Sequence, residues 1–394
     1  MTETTTAEPL DDLRQRMREF IDEKVIPLEP VLEHHDQAAA EAMATLKERA
    51  KADGLWALGH PAHLGGGGLP LMDFALLNEI IGRSQFGQIA VGTVSMQDSI
   101  MLDLHASAEQ RDRWLKPLVA GDIFPSVGLT EPEVAGSDPT LMQATADLDG
   151  DEWVIDAHKW FTTGASVAAF TTIFAKTDPD AEKYLQFSSI IVPTDSPGYE
   201  IVRVVPTMGH TGGQHCELRL TDVRVPKDNL LGERGHGFVI AQQRLGPGRI
   251  FHCMRWLGQA QRAFELMCDR ARTRYAHGSL LAEKGEIQRY IAESAAQIQA
   301  CRLMTLDAAR ELDAGRSARV EISLIKFYGA QMLHDVIDRA IQVHGALGVT
   351  ADTPLELMYR EARYARIYDG PDEVHRMVVA RQLVKDPRKA PWSY

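Results

Sequence analysis

Residues 151–161 read DEWVIDAHKWF. The stretch is short, rich in β-branched and aromatic residues, and entered through the turn-like LDGDE. Further runs of the same texture follow: AAFTTIFAKTD, LQFSSIIVP, YEIVRVVP and CELRLTDVRVP, with TDSPGY as another turn. Short β-rich runs at this spacing predict an antiparallel β domain over residues 126–232.

Outward from it the texture changes on both sides. Residues 8–120 read as helices: Leu13, Met17, Phe20, Ile21 and Val25 make one apolar stripe, and FALLNEIIG (74–82) makes another. Residues 236–390 are helical again, with neither Gly nor Pro between Glu286 and Ala314. There Ile287, Ile291, Ser294, Ile298, Cys301, Thr305 and Ala308 share one face. Helices of this length predict a bundle with a face left for a partner subunit. The order helical, β, helical lacks the βαβ alternation of a doubly wound sheet. The expectation is a mainly α, α+β chain of three domains, 1–125, 126–232 and 233–394.

At 394 residues the chain has room for this. Its composition, 44% hydrophobic and 25% charged, is that of a globular enzyme. A net charge of −13 provides no global field for nucleic acid or anionic lipid. Four cysteines, at 216, 253, 268 and 301, are spread widely with no C-x-x-C, which fits a reducing interior. The opening MTETTTAEPLDD has neither the basic nor the apolar part of a signal peptide. No apolar run approaches the roughly 18–20 residues that span a bilayer, so the expected location is cytoplasmic.

Several familiar motifs fail. HLGGGGLP (63–70) follows no strand, lacks the G-K-[ST] of a phosphate loop, and has Pro70 where a dinucleotide fingerprint needs glycine. HExxH and G-x-S-x-G are absent, and the histidines have no ligand spacing, so no metal is expected. Four other stretches carry two readings each. In SVGLTEPEVAGSD (126–138), Thr130 and Ser137 are either turn residues or hydroxyls aimed at a ligand that Gly136 lets approach. In HKWFTTGA (158–165), Trp160 and Thr162 fall on one face at period two, and suit either the core or a flat heteroaromatic ring. IQVHGALG (341–348) is a helix stop whose amides also suit phosphate. In YARIYDGPDEVHRMVVARQLV (364–384), Gly370-Pro371 starts a helix and Asp369 lies just before it. Asp369 is either a capping carboxylate or a base held at a helix N-terminus.

Taken in order, LTEPEVAGSD, KWFTTGA, TDVRVPKDNLLGERGHGF, IQVHGALG and IYDGPDEVHR resemble the successive signatures of acyl-CoA dehydrogenases, from about residue 10 to 385. LGPGRIFHCMR (245–255) and GPDEVHR resemble one branch of that family. The resemblance implies an N-terminal helical domain, a middle β domain and a C-terminal four-helix bundle. It implies FAD, with Leu129, Thr130 and Ser137 near the isoalloxazine and pyrophosphate, and Trp160 and Thr162 beside the ring. Arg274 would hold the pyrophosphate across a subunit boundary, and Gln342 and Gly345 would reach the ADP part of a neighbour's FAD, which implies a homodimer or homotetramer. Arg249 and Gly370 would meet an acyl-CoA substrate, and electrons would pass to an electron-transfer flavoprotein, as in fatty acid β-oxidation.

The family's base removes the α-proton of the thioester while the β-hydrogen leaves as hydride to flavin N5. Fixed donors, the base's own backbone N–H and a ribityl hydroxyl, stabilise the thioester oxygen. By resemblance Asp369 is that base. Some relatives carry it instead at the position matching Gly248, which cannot serve. Three departures stand out: His277 where the family usually has phenylalanine, Gly285 where it has glutamine, and Asp369-Gly370-Pro371 where it has Glu-Gly-Thr. Asp is shorter than Glu by one C–C bond, ~1.5 Å, which implies a repositioned loop, a different substrate shape or weak activity. Two alternatives share the same features: a flavin oxidase of the nitroalkane oxidase type, which also uses aspartate, and a non-catalytic acyl-CoA-binding homologue.

Overall fold

The computed structural model describes residues 9–208 and 215–392. The opening residues 1–8, part of the stretch read as lacking a signal peptide, lie outside the described residues. The chain divides into two compact units. One gathers residues up to Gly59, Leu69–Val91 and Arg249 onward; the other gathers His60–Gly68 and Gly92–Gly248.

The first unit is helical. Its N-terminal part holds α1 (Leu10–Phe20), α2 (Gln37–Ala52) and α3 (Leu71–Ile81). The apolar stripe of α1 is buried at Leu13, Met17 and Phe20 and continues through Ile21 and Val25 in a π turn. Asp36 starts α2 by accepting from the Ala39 N–H at 3.0 Å, as an N-cap should.

After α4 (Met96–His105), which belongs to the second unit, comes α5 (Gly237–Thr273), with Pro247 inside it and the division between units at Gly248/Arg249. α6 (Gly285–Asp313), α7 (Arg319–His344), α8 (Leu355–Ala365) and α9 (Asp372–Lys385) complete the first unit. Its core joins Ile250, Met254, Leu257 and Met267 of α5 to Ile298 and Cys301 of α6, Ile325, Leu333 and Ile337 of α7, and Leu355 and Met358 of α8. On α6 the predicted face is buried at Ser294, Ile298, Cys301, Thr305 and Ala308, while Leu303 on another face is 58% exposed. Close approach of α3 and α5 needs glycine: a Cβ on Gly258 would lie 2.0 Å from the Glu79 carbonyl oxygen.

Among the described residues the second unit is built on one sheet of eight strands. They are β1 (Pro125–Gly128), β2 (Thr145–Asp149), β3 (Glu152–Thr163), β4 (Phe170–Lys176), β5 (Phe187–Pro193), β6 (Tyr199–Val204), β7 (His215–Pro226) and β8 (Leu230–Leu231). The order is β6-β7-β3-β2-β4-β5-β8, with β1 beside β4. Pairing is antiparallel except where β4 meets β1 and β2, which are parallel to it. Trp153, Ile155 and Ala157 of β3 point into the core beside Leu218, Leu220, Val223 and Val225 of β7.

Among the described residues no helix is long and apolar enough to cross a membrane.

Candidate active site

In the second unit, the expected flavin-side residues lie along β3 and the segment after β1. Lys159, fully buried, donates to Glu131 Oε1 at 2.7 Å and to the Leu129 carbonyl at 3.2 Å. Glu131 also accepts from the Gln143 and Ala144 N–H groups at 2.6 and 3.0 Å. Burial pushes the Lys159 ammonium down to about 8, against the opposing pull of Glu131. This pair anchors the Leu129–Glu131 segment to the sheet. The Trp160 N–H adds a hydrogen bond to the Thr130 carbonyl at 3.0 Å. Gly136 lies against Thr130: a Cβ there would come within 2.9 Å of its methyl group. Leu129 lines an apolar hollow with Met142, Phe174, Phe187 and Phe238. Ser137 is exposed.

Strict alternation, which the sequence suggested for Trp160 and Thr162, stops at Lys159. Register with β7 shifts between Lys159 and Thr162, and Phe161 takes a left-handed φ of 50°. The bulge turns Phe161 outward, 43% exposed, and leaves Thr162 fully buried. Trp160 Nε1 and Thr162 Oγ1 are buried atoms with no hydrogen-bond partner among the described residues. Buried polar atoms are nearly always paired, and these two, two residues apart on one strand, offer a donor and a hydroxyl to a polar ligand edge. A ring system bearing both donors and acceptors meets that need.

In the first unit, three expected residues come together. Asp369 does not cap α9: the N-cap position is Pro371, and no side chain caps the helix. Instead Asp369 sits at a left-handed φ of 52°, followed by Gly370 at 98°. Its carbonyl accepts from Arg249 Nε at 3.0 Å and from His375 Nε2 at 3.1 Å. Its carboxylate Oδ2 lies 3.0 Å from His252 Nε2, and both side chains keep 19% of their surface exposed. The Gly370 carbonyl accepts from Lys326 Nζ at 3.2 Å, which also donates to the Ala365 carbonyl at 2.8 Å.

Sequence reading found Asp369, Gly370 and Arg249 but missed His252, Arg255, Lys326, Tyr368 and His375. Arg255 donates to His252 Nδ1 at 2.7 Å. Tyr368 packs edge-on against His252, ring centroids 4.8 Å apart, and accepts from Trp256 Nε1 at 2.9 Å. Lys326 Nζ lies 5.2 Å from the Trp256 ring centroid and 5.3 Å from that of Tyr368. Burial dominates the ionisation here: it pushes His252 and His375 down to about 4 and Lys326 down to about 8. The arrangement is a partly accessible carboxylate beside imidazoles that burial keeps neutral, with Arg249 and Lys326 engaged by the backbone carbonyls of Asp369 and Gly370.

The other expected residues of this unit are exposed and lie at helix ends. Arg274 follows the end of α5, Gln342 is in the last turn of α7, and Gly345 follows that helix at φ 65°. His277 also takes a left-handed φ, 49°, and Gly285 is the first residue of α6. Gly248 is buried, and a Cβ there would fall 1.9 Å from Gln97 Nε2.

Family models for the N-terminal, middle and C-terminal domains of acyl-CoA dehydrogenase match residues 7–122, 126–223 and 235–384. The chain belongs to the acyl-CoA dehydrogenase family. The probable acyl-CoA dehydrogenase FadE2 of Mycobacterium tuberculosis is 42% identical over 385 residues, 94% of either chain. Acyl-CoA dehydrogenase family member 10 of Mus musculus is 39% identical over 95% of this chain, which spans only 37% of that longer protein. A solved Mycobacterium abscessus structure assigned to the same family is 40% identical, with TM-score 0.90 over 95% of this chain and 98% of its own. Acyl-CoA dehydrogenases are flavoproteins, and the cofactor of this one is FAD. The unpaired atoms of Trp160 and Thr162 fit that group, which would be held there and by the Leu129–Thr130 segment.

Proposed function

We propose that this acyl-CoA dehydrogenase oxidises the α,β-bond of an acyl-CoA thioester, with Asp369 as the base that takes the α-proton. The observation that carries the reading is the placement of the Asp369 carboxylate. It is freed from helix capping, held beside His252, and left 19% exposed. A base needs that partial access, together with surroundings that substrate can dry.

The chemistry FAD supplies when bound is acceptance of the hydride from the β-carbon. The chain's own residues do the rest. Arg249 and His375 fix the backbone at Asp369, and Lys326 fixes it at Gly370. Gly370 and Arg249 border the substrate, and the carboxylate receives the proton at Oδ1 or Oδ2.

The same reading places Arg274, Gln342 and Gly345 against FAD of a neighbouring subunit, in a homodimer or homotetramer. Their exposure supports it. Electron-transfer flavoprotein is the proposed acceptor, β-oxidation of fatty acids the proposed setting, and the cytoplasm the proposed location. The four cysteines are free thiols, consistent with a reducing compartment. Domain limits at 125/126 and 232/233 belong to this reading as well.

The test is anaerobic titration of the purified flavoprotein with a panel of acyl-CoAs. Bleaching of the flavin by one of them, lost in Asp369→Asn, is the expected result. An Asp369→Asn protein that bleaches at the wild-type rate overturns the assignment. Oxygen uptake with a nitroalkane, without bleaching by any acyl-CoA, would replace it with an oxidase.

A further inference from the structure

Asp369 is held by its own carbonyl, and its carboxylate Oδ2 also lies 3.0 Å from His252 Nε2, a contact whose polarity can be read. Arg255 Nη2 lies 2.7 Å from His252 Nδ1. A guanidinium only donates, so Nδ1 must accept and carries no proton. In a neutral imidazole the proton is then on Nε2, the atom 3.0 Å from Asp369 Oδ2. The ring cannot readily swing away, because Tyr368 packs edge-on at 4.8 Å and Trp256 stacks at 6.1 Å.

We infer that His252, oriented by Arg255, is a positioning residue for the base: a neutral imidazole that donates Nε2–H to Asp369 and keeps the carboxylate aimed and ionised. The inference rests on Asp369 being the base. Aligning the carboxylate and lowering its basicity are separate effects, and a cationic partner would bring both. A protonated histidine would form a full ion pair with Asp369 and make it a poorer proton acceptor. A neutral one aligns it at smaller cost in basicity.

The other charged or titratable groups facing this pair come from four elements. Arg249 and Arg255 are on α5, Lys326 is on α7, Tyr368 follows α8, and Asp372 and His375 are on α9. Burial opposes a positive charge at His252, Arg255 and Lys326 act in the same direction, and together they outweigh the pull of Asp369 and hold its titration near 4. The Asp372 carboxylate is engaged by Arg366 at 2.8 Å.

Two measurements test this. The first is nitrogen NMR of the protein labelled in its histidine rings, with His252 assigned by its loss in His252→Gln. The expected signature is an unprotonated Nδ1 and a protonated Nε2 from about pH 6 to about 9. An imidazolium, or a proton on Nδ1, at neutral pH overturns the inference whatever the activity.

The second compares anaerobic flavin reduction by acyl-CoA in FAD-loaded His252→Leu and His252→Gln. Leucine removes the donor and should slow reduction by about 10- to 100-fold while substrate affinity changes little. Glutamine restores an N–H near Nε2 and should recover most of that loss. Arg255→Met, which frees Nδ1 to take a proton, should move the acidic limb of the rate profile upward in pH. Equal loss in the leucine and glutamine variants, or a wild-type rate in the leucine variant, overturns the inference. Asp369→Asn distinguishes the premise: if it stays active, the base is elsewhere. If it is inactive while His252→Leu behaves as wild type, only the positioning role fails.

Discussion

Lys326 reaches across from α7 to donate to the carbonyl of Gly370, 3.2 Å away, and the same ammonium holds Ala365 at 2.8 Å. One buried lysine thus fastens the end of α8 to the residue after Asp369. Lys326→Met keeps the apolar stem but leaves two carbonyls without their donor. A loss of about 2–4 kcal/mol is expected from chemical denaturation, with slower flavin reduction because Asp369 is no longer fixed from behind.

Gly370 cannot be replaced without strain. Its φ is 98°, and a Cβ would lie 2.8 Å from His375 Nε2, the atom that holds the Asp369 carbonyl. Gly370→Ala should cost about 1–3 kcal/mol in thermal or denaturant unfolding and reduce the rate of flavin reduction more than it reduces substrate binding.

Thr162→Val gives two effects of opposite sign. The hydroxyl is buried with no partner among the described residues. Removing it should leave the FAD-free protein as stable, or more stable by up to about 1 kcal/mol. If FAD uses that hydroxyl, its dissociation constant should rise by about tenfold, measured by fluorescence on titrating apoprotein. Weaker apoprotein with unchanged FAD affinity would contradict the placement.

Glu361, on α8, is buried, and burial raises its carboxyl from 4.5 to about 8, with Glu29 and Glu33 adding to the rise and Arg360 opposing it. The folded state therefore binds more protons than the unfolded state between 4.5 and about 8. Stability contributed by the protonated acid is present at low pH and lost as pH rises through about 8. Glu361→Gln should raise the melting temperature at pH 8–9 and change it little near pH 4.5.

Histidines push the other way. His60, His252 and His375 are each lowered by burial from 6.5 to about 4. The unfolded chain binds the extra protons in that window, so stability is full above 6.5 and falls as pH drops toward 4. The cost is roughly 3 kcal/mol for each group. His60→Gln, in the second unit and still reaching the Gly92 carbonyl, should flatten part of that acid limb in denaturant titrations.

The β domain was legible because its strands are short, apolar on one face and separated by turns, as at DEWVIDAHKWF. The helical regions were legible from stripes such as Leu13, Met17 and Phe20. Asp369 stood out because Gly370-Pro371 breaks the chain beside it. Its partners did not: Arg249 is 120 residues away, and no local pattern couples such positions. Two signals were available. His252 follows Arg249 by one helical turn, and Lys326 is a single lysine inside the apolar run EISLIKFYGAQML. The bulge at Phe161 left no trace, since register shifts come from pairing with β7 and not from β3 alone. The capping reading of Asp369 failed because Pro371 leaves the helix entry no place for that carboxylate.

Trp256 gives this site a built-in optical reporter. It is 4% exposed, its indole N–H is tied to the Tyr368 hydroxyl, and the Lys326 charge sits 5.2 Å from its ring. In a variant keeping only this one of the six tryptophans, the colour of emission would track the charge on Lys326 as it titrates near 8. The electrostatics around the carboxylate could then be followed with no substrate present.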